Sequence, residues 1–147
     1  MLRVKHLLVA KGHEIWTVEA EDPVLEAIQV MADREVGALP VMRGDELVGI
    51  GSERDYARKV ILQGKSTHET RVEEIMTSIV FTVRPEQTIG VCMAIMTEKH
   101  IRHLPVMNGD RVVGVISIGD VVKAIISEQQ FVIEQLESYI SGERTHE

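Results

Sequence analysis

The sequence has little cysteine, few aromatic residues and no long apolar run. Its 147 residues include one cysteine, Cys92, so an intramolecular disulfide is excluded. A lone cysteine is typical of a reducing compartment, and we expect Cys92 to be a small buried filler rather than a reactive thiol. The apolar run Leu7-Leu8-Val9-Ala10 is too short for a signal-peptide core or a membrane span. We therefore expect a cytoplasmic location and no membrane partner.

The sequence is also poor in basic residues and in catalytic motifs. It carries 16 basic and 23 acidic residues and a formal net charge of -7, which argues against a nucleic-acid partner. Residues 115–119 lack the first glycine of a nucleophile elbow, and Gly49-Ile50-Gly51 is followed by Arg54 where a dinucleotide fingerprint needs its third glycine. The six histidines show no metal-ligand spacing. We expect no catalytic residue, no metal site and no enzyme activity.

What the sequence does contain is an internal repeat. Leu39-Pro40-Val41-Met42-Arg43-Gly44-Asp45 returns 65 positions later as Leu104-Pro105-Val106-Met107-Asn108-Gly109-Asp110, and ten positions match between residues 38–55 and 103–120. A unit of about 60 residues is marginal for a core of its own, so two copies are expected to bury each other's apolar faces as a pseudo-two-fold pair. We predict an α/β (α+β) body with an N-terminal helix and repeat 1 at 1–63, a linker at 64–71, repeat 2 at 72–130, and a helical extension and tail at 131–147.

Each half is predicted to follow the order β-α-β-β-α. The first strands are placed at 15–18 and 80–83, and the first helix of repeat 1 begins after the cap Asp22-Pro23. Turns at 43–45 and 108–110 join two hairpin strands, and the closing helices begin at Ser52 and Ser117. A short N-terminal helix ends at Gly12. Apolar residues continue the last helix beyond its repeat: Val121, Ile125, Val132, Leu136 and Ile140.

The closing helices begin with Ser-x-x-Asp, at Ser52 to Asp55 and again at Ser117 to Asp120. In a capping box of this kind the serine accepts from the third amide and the acid reaches back to the cap. The same groups suit a nucleotide, because a helix N-terminus favours a phosphate and a carboxylate can accept both hydroxyls of a ribose. The two roles are compatible, and the residues alone leave both open.

Taken together, these motifs resemble those of the CBS domain pair, or Bateman module. The resemblance covers about residues 1–130 and rests on the two Leu-Pro-Val strands, the two Ser-x-x-Asp helix starts, Val48-Gly49, Val113-Gly114 and the segment 72–77. With Arg102-His103 before the second Leu-Pro-Val, the chain is similar to a branch of small stand-alone bacterial and organellar CBS pairs. The resemblance implies an adenine-nucleotide-binding regulatory homodimer that senses energy or redox state and acts on a separate, unidentified protein. The implied ligand is AMP first, with NAD(H), ATP or ADP as alternatives, and no catalytic cofactor.

The resemblance also implies one nucleotide site in each half. Asp55 and Asp120 would hold the ribose hydroxyls, and Ser52 and Ser117 would contact phosphate or ribose. The other candidates are Ile15, Val80, Lys11 and Thr77 along the adenine, and Arg102, His103, Arg54 and Arg58 near the phosphate.

The two sites are expected to differ. Arg102-His103 correspond to Gly37-Ala38 in the first half, so only the site with Asp55 gains this cationic pair, and it is expected to prefer phosphorylated adenosine. The other site would take adenosine with weaker phosphate contacts or stay empty. One alternative is that Arg102 and His103 are solvated or paired with Glu98 or Asp110. Another is that the chain is a structural homodimerisation module with degenerate clefts.

Overall fold

The fold is an α+β arrangement of two similar halves, seen in a computed structural model that describes residues 2–12 and 14–145, the last three by backbone only. The first half contains β1 (Val18–Glu19), α2 (Val24–Arg34), β2 (Ala38–Arg43), β3 (Glu46–Ser52) and α3 (Glu53–Tyr56), which continues as a π-helical turn (Ala57–Ile61). The second contains α5 (Ile89–Lys99), β4 (His103–Asn108), β5 (Arg111–Ser117) and α6 (Ile118–Thr145). Helix α1 (Val4–Lys11) precedes the first half, and α4 (Val72–Ile75) precedes the second. The predicted tandem-repeat fold is confirmed.

Two small sheets carry the repeat. Strands β2 and β3 are antiparallel, β1 adds to β2 in parallel, and β4 and β5 form an antiparallel pair. The same register shift occurs between Val41 and Met42 and between Val106 and Met107. The turns need glycine, since Gly44 and Gly109 have φ of 62° and 64°.

The predicted first strands are largely wrong. Of residues 15–18 only Val18 joins β1, and of residues 80–83 only Val83 forms a parallel bridge, to Val106. Of the preceding residues, Ile15 and Trp16 line one cavity and Val80 and Phe81 line another, as described below. The apolar pattern therefore marks a cleft wall and not a sheet.

Two further details of the first half concern the start of α2, where the predicted cap is wrong. Asp22 does not cap α2, because its Oδ2 accepts from Glu19 N at 3.0 Å and Pro23 occupies the N-cap position. The polar segment predicted as a linker is packed on the start of α2, where Val24 N donates to Thr70 O at 2.8 Å. The proposed domain boundaries stay a prediction, and residues 146–147 of the tail lie outside the described residues.

The helices that precede each half pack onto the other half. Val4 and Leu7 of α1 lie in the core with Leu104 and Ile116, whereas Val72 of α4 lies in the core of the first half. Backbone bonds repeat the arrangement, from Val4 N to Gln87 O (2.8 Å) and from Val72 N to Asp22 O (2.9 Å). This exchange ties the two halves into one unit and brings α1 to the second half's Ser-x-x-Asp motif.

Cys92 lies in the core and Gly12 lies at the end of α1, as predicted from the sequence. Cys92 is fully buried, as predicted, and burial raises the pKa of its thiol. Helix α1 ends at Gly12, with φ of 91°. Among the helices within residues 2–12 and 14–145, none combines the length and apolar character needed to cross a bilayer.

Candidate functional site

Two cavities lie where the halves meet. The first, the Asp55 cleft, has a volume of about 580 Å³, and the second, the Asp120 cleft, about 420 Å³. Gly37, Ala38 and His103 line both, so the two clefts share a wall formed by the starts of β2 and β4. Both volumes fall in the range of small-molecule sites, roughly 300–1,000 Å³.

Ser52 and Asp55 form a complete capping box at the start of α3. Ser52 Oγ accepts from Asp55 N at 3.2 Å, and Asp55 Oδ2 accepts from both Ser52 N (3.2 Å) and Ser52 Oγ (3.0 Å). Glu53 N, the first amide of α3, donates to Gly37 O at 3.1 Å. These three amides already have acceptors, which leaves Arg54 N among the amides at the start of α3, so a phosphate in this cleft would rely mainly on cationic side chains.

The other carboxylate oxygen of Asp55 faces groups that a ligand can replace. Oδ1 accepts from Thr77 Oγ1 at 3.3 Å and pairs with Lys59 Nζ at 3.1 Å. The Asp55 side chain is 13% exposed and that of Lys59 is 40% exposed, so the lysine can move into solvent. A ribose diol would compete with Lys59 and Thr77 for this oxygen.

Most of the predicted residues of the first site come together in the Asp55 cleft. Its walls include Ser52, Arg54, Asp55, Thr77, Val80, Arg102 and His103, and also Phe81 and His100, which the sequence interpretation did not select. Arg102 is exposed, and among the described residues it pairs with neither Glu98 nor Asp110. Arg58 lines neither cavity and lies on the π-helical turn.

The Asp120 cleft brings together the four remaining candidates: Lys11, Ile15, Ser117 and Asp120. Ser117 and Asp120 repeat the reciprocal cap, with Ser117 N to Asp120 Oδ2 at 2.8 Å and Asp120 N to Ser117 Oγ at 3.1 Å. Lys11 Nζ reaches across from α1 and lies 2.7 Å from both Asp120 Oδ2 and Val115 O. The lysine assigned to the adenine wall therefore contacts the acid assigned to the ribose.

The electrostatics of the Asp120 cleft follow from this ion pair. Burial by itself raises the pKa of Asp120, but hydrogen bonds from Lys11 and Ser117 outweigh it, so this pKa lies below its ordinary value. For His103, burial is the main cause that lowers the pKa; Lys11 and Arg102 lower it further, and Asp120 opposes them. At neutral pH the site therefore contains a charged pair and a neutral imidazole.

An aromatic–cation pair flanks each cleft, and the sequence interpretation missed both. Arg34 lies 3.8 Å from the ring centre of Trp16 beside the Asp120 cleft, and Lys99 lies 5.1 Å from that of Phe81 beside the Asp55 cleft. Phe81 follows Trp16 by 65 positions, and Lys99 follows Arg34 by 65 positions, which is the offset of the internal repeat. Comparing residue types at this offset outside the motif would have revealed them. Lys11 and Arg34 both line the Asp120 cleft, so this cleft contains cations although Gly37-Ala38 stand where the other half has Arg102-His103.

Possible metal ligands do not gather at either cleft or elsewhere in the described part of the chain. Within residues 2–12 and 14–145, no group of three His, Cys, Asp or Glu side chains is placed to hold a metal ion. Of the six histidines considered in the sequence, His13 and His146 lie outside the described residues.

Several known proteins that are similar to this chain in sequence or fold are named for CBS domains. The CBS domain family model matches residues 5–61 and 72–127. The mitochondrial CBS domain-containing protein CBSX3 of Arabidopsis thaliana is 41% identical over 138 residues; these are 90% of this chain but 66% of the relative, so the chain spans just under two thirds of its length.

Solved structures agree. A protein with CBS domains from Burkholderia ambifaria MC40-6 is 51% identical, with a TM-score of 0.82 over 86% of this chain and 96% of that one. The CBS domain pair of protein MJ0100 is 25% identical, with a TM-score of 0.78 over 87% of this chain and 98% of that one; it was solved in complex with 5'-methylthioadenosine and S-adenosyl-L-methionine. Two matched segments in sequence and the same fold lead to one conclusion: the chain belongs to the CBS domain family and contains a CBS domain pair.

Proposed function

We propose that this CBS pair is a regulatory module that binds adenosyl nucleotides in the Asp55 and Asp120 clefts and alters the behaviour of a separate protein. The observation that carries the proposal is the composition of the clefts. Each places a capped carboxylate opposite cationic side chains, Arg102 in one cleft and Lys11 in the other, around a cavity of ligand size. A carboxylate suits a ribose diol and a cation suits a phosphate, so the two groups together fit a nucleotide.

The adenosyl class is supported by the relative MJ0100, whose structure contains two adenosyl compounds. Neither of those compounds carries a phosphate. The phosphate preference is therefore proposed from this chain's own cations: Arg102 and Arg54 in the Asp55 cleft, and Lys11 and Arg34 in the Asp120 cleft. AMP is the first candidate, and NAD(H), ADP and ATP are the others.

No reaction is proposed for the bound nucleotide. Ser52 and Ser117 both donate or accept within their own capping boxes, and neither has a histidine base among its hydrogen-bond partners in the described residues. The regulated protein is a separate one, and the cytoplasm is the proposed location. A regulatory output requires that the ligand bind two arrangements of the module with different affinity.

The second candidate, a structural module with degenerate clefts, also has an observation in its favour. Both ribose-binding acids are already neutralised in the free protein, Asp55 by Lys59 at 3.1 Å and Asp120 by Lys11 at 2.7 Å. Self-filled clefts would make the protein indifferent to nucleotides.

Thermal denaturation and calorimetry separate the two candidates. At 100 times its dissociation constant, a ligand that binds one cleft stabilises the fold by about 2.7 kcal/mol, which raises the melting temperature by roughly 5–11 °C. We test Asp55→Asn and Asp120→Asn with AMP, ATP and NADH, because asparagine keeps the cap but loses the charge. Each variant is expected to lose one site and the double variant both. No shift in the wild type with any adenosyl ligand at millimolar concentration would leave the structural module as the function.

A further inference from the structure

The last helix extends beyond the body of the protein, and in its 126–141 segment Glu128 Oε2 accepts from Leu2 N at 3.3 Å. Val121 is buried and Ile125 half-buried, but every residue from 126 to 141 of α6 is exposed. The family model ends at residue 127, so this extension is not part of the second CBS domain. Many of its side chains are nevertheless large and apolar, with exposed fractions between 48% and 65%: Ile126, Phe131, Val132, Ile133, Leu136, Tyr139 and Ile140.

The apolar side chains of α6 are arranged in three columns with a seven-residue spacing. One column contains Val122 and Leu136 with Gln129 between them; the others contain Ile125, Val132 and Tyr139, and Ile126, Ile133 and Ile140. In heptad notation these are the a, d and e positions, which lie side by side on a helix. We call these three columns the apolar seam. Polar residues hold the b, f and g positions beside it: Lys123, Gln130, Glu137, Ser127, Glu134, Ser141, Glu128 and Gln135.

An uncovered seam of this length points to a helical partner. Isolated helices shorter than about 12–15 residues are marginal in water, and most helical stability comes from burial of an apolar face. The 126–141 segment of α6 has no such burial within the described chain. A partner helix that covers the seam would supply it.

We propose that the partner is α6 of a second copy, paired antiparallel. The composition of the e and g columns favours this direction. Antiparallel pairing sets e against e and g against g, so the isoleucines face isoleucines on one side of the seam and Glu128 faces Gln135 of the partner subunit on the other. Parallel pairing would set e against g and place Ile133 beside Glu128 of the partner subunit. The helix dipoles also oppose each other only in the antiparallel pair.

The register follows from aligning the a and d columns along the whole seam. Val122 lies opposite Tyr139 of the partner subunit, and Ile125 lies opposite Leu136 of the partner subunit. This register buries the full seam from 122 to 140, about 27 Å of helix. The pair would bury on the order of 1,100 Å² in total, near the lower end of stable interfaces.

The interface is tested by changing the seam and the opposite face of the same helix. Leu136→Glu and Ile133→Glu are expected to convert the dimer to a monomer in sedimentation at 5–100 µM. Phe131→Glu is the matched control, since Phe131 is 60% exposed but occupies a c position on the far side of α6. All three side chains are exposed, so the melting temperature of each monomeric body should stay within a few degrees of the monomeric wild type measured at low concentration. A monomeric wild type at 100 µM, or a dimer that resists Leu136→Glu, would overturn the proposal.

Cross-linking tests the direction. Under mild oxidation, a mixture of the Val122→Cys and Tyr139→Cys proteins should give a disulfide-linked heterodimer, while Val122→Cys alone should not, because its two copies lie about 26 Å apart in the antiparallel pair. Cys92 is buried and serves as the unreactive background. Rapid self-linking of Val122→Cys would show a parallel pair and refute the direction. Neither experiment uses a nucleotide, so its result is independent of the proposed ligand binding.

Discussion

Replacement of Lys11 by methionine tests the Asp120 cleft most directly. In the free protein Lys11 Nζ lies 2.7 Å from Asp120 Oδ2, on the carboxylate that would hold the ribose. Methionine keeps an unbranched stem of similar length and removes only the charge and its hydrogen bonds. The substitution therefore separates two roles of Lys11: competition with the ribose for Asp120, and attraction of the phosphate.

The stability effect follows from the exposure of the pair. The side chains are 38% and 20% exposed, so solvent screens the interaction and we expect a loss of about 0.5–1 kcal/mol at pH 7, or roughly 1–4 °C in melting temperature. The pKa of Asp120 is lowered in the folded protein, so its contribution is fully present above its unfolded pKa and is lost as the pH falls through the folded pKa. Wild type and variant should therefore differ at pH 7 and converge as the pH falls through the lowered pKa of Asp120.

The binding effect should have opposite signs for two ligands. Adenosine, which is neutral, no longer competes with Lys11 for Asp120 and is expected to bind about fivefold more tightly to the variant. AMP loses a cation for its phosphate and is expected to bind about 5- to 20-fold more weakly, since a hydrogen bond to a charged group contributes about 1.5–3 kcal/mol and the released carboxylate returns part of it.

Calorimetry in an Asp55→Asn background measures the Asp120 cleft alone. Lys59→Met in an Asp120→Asn background is the matched control, because Lys59 pairs with Asp55 at 3.1 Å in the other cleft. Equal changes for adenosine and AMP, or an unchanged melting temperature at pH 7, would refute the reasoning about Lys11.

Two further predictions concern packing and protonation. Gly114→Ala should destabilise the fold by about 1–3 kcal/mol, because the added methyl would stand 2.5 Å from Leu8 Cδ2. Gly90→Ala, whose added methyl would have no contact closer than 3.7 Å, should instead stabilise the fold by about 0.4–1 kcal/mol. Denaturant unfolding measures both changes in the free energy of unfolding, and two changes of the same sign would contradict the packing of α1 against Gly114. AMP binding at pH 7 should take up protons, because a phosphate beside His103 raises the lowered pKa of this imidazole. Calorimetry in two buffers of different ionisation enthalpy measures the proton uptake, which should be smaller in His103→Ala than in the wild type. The same uptake in both proteins would exclude contact between phosphate and imidazole.

The repeat allowed most of the fold to be predicted from the sequence. Hairpins, closing helices and the long last helix follow from local signals: the turn glycines Gly44 and Gly109, the caps Ser52 and Ser117, and apolar spacing. The first strands are predicted wrongly because Ile15-Trp16 and Val80-Phe81 line cavities, and β-branched and aromatic residues suit a cavity wall as well as a strand.

The site could be predicted only in part, because its parts come from distant segments. Ser52 with Asp55, and Ser117 with Asp120, are local pairs and carry their own signal. The contact of Lys11 with Asp120 spans 109 positions and exists because α1 packs onto the opposite half, which no local pattern encodes. The contact brings a lysine into the Asp120 cleft that the comparison of Gly37-Ala38 with Arg102-His103 does not reveal.

The difference between the two halves has a steric cause at the shared wall. Gly37 is the counterpart of Arg102, and Ala38 is the counterpart of His103. A methyl group on Gly37 would stand 3.3 Å from His103 Nε2, a contact tight enough that the imidazole would have to move. Gly37 therefore leaves the space that the His103 imidazole occupies in the shared wall. Because His103 consequently lines both clefts, a ligand in either one changes the surroundings of the same imidazole.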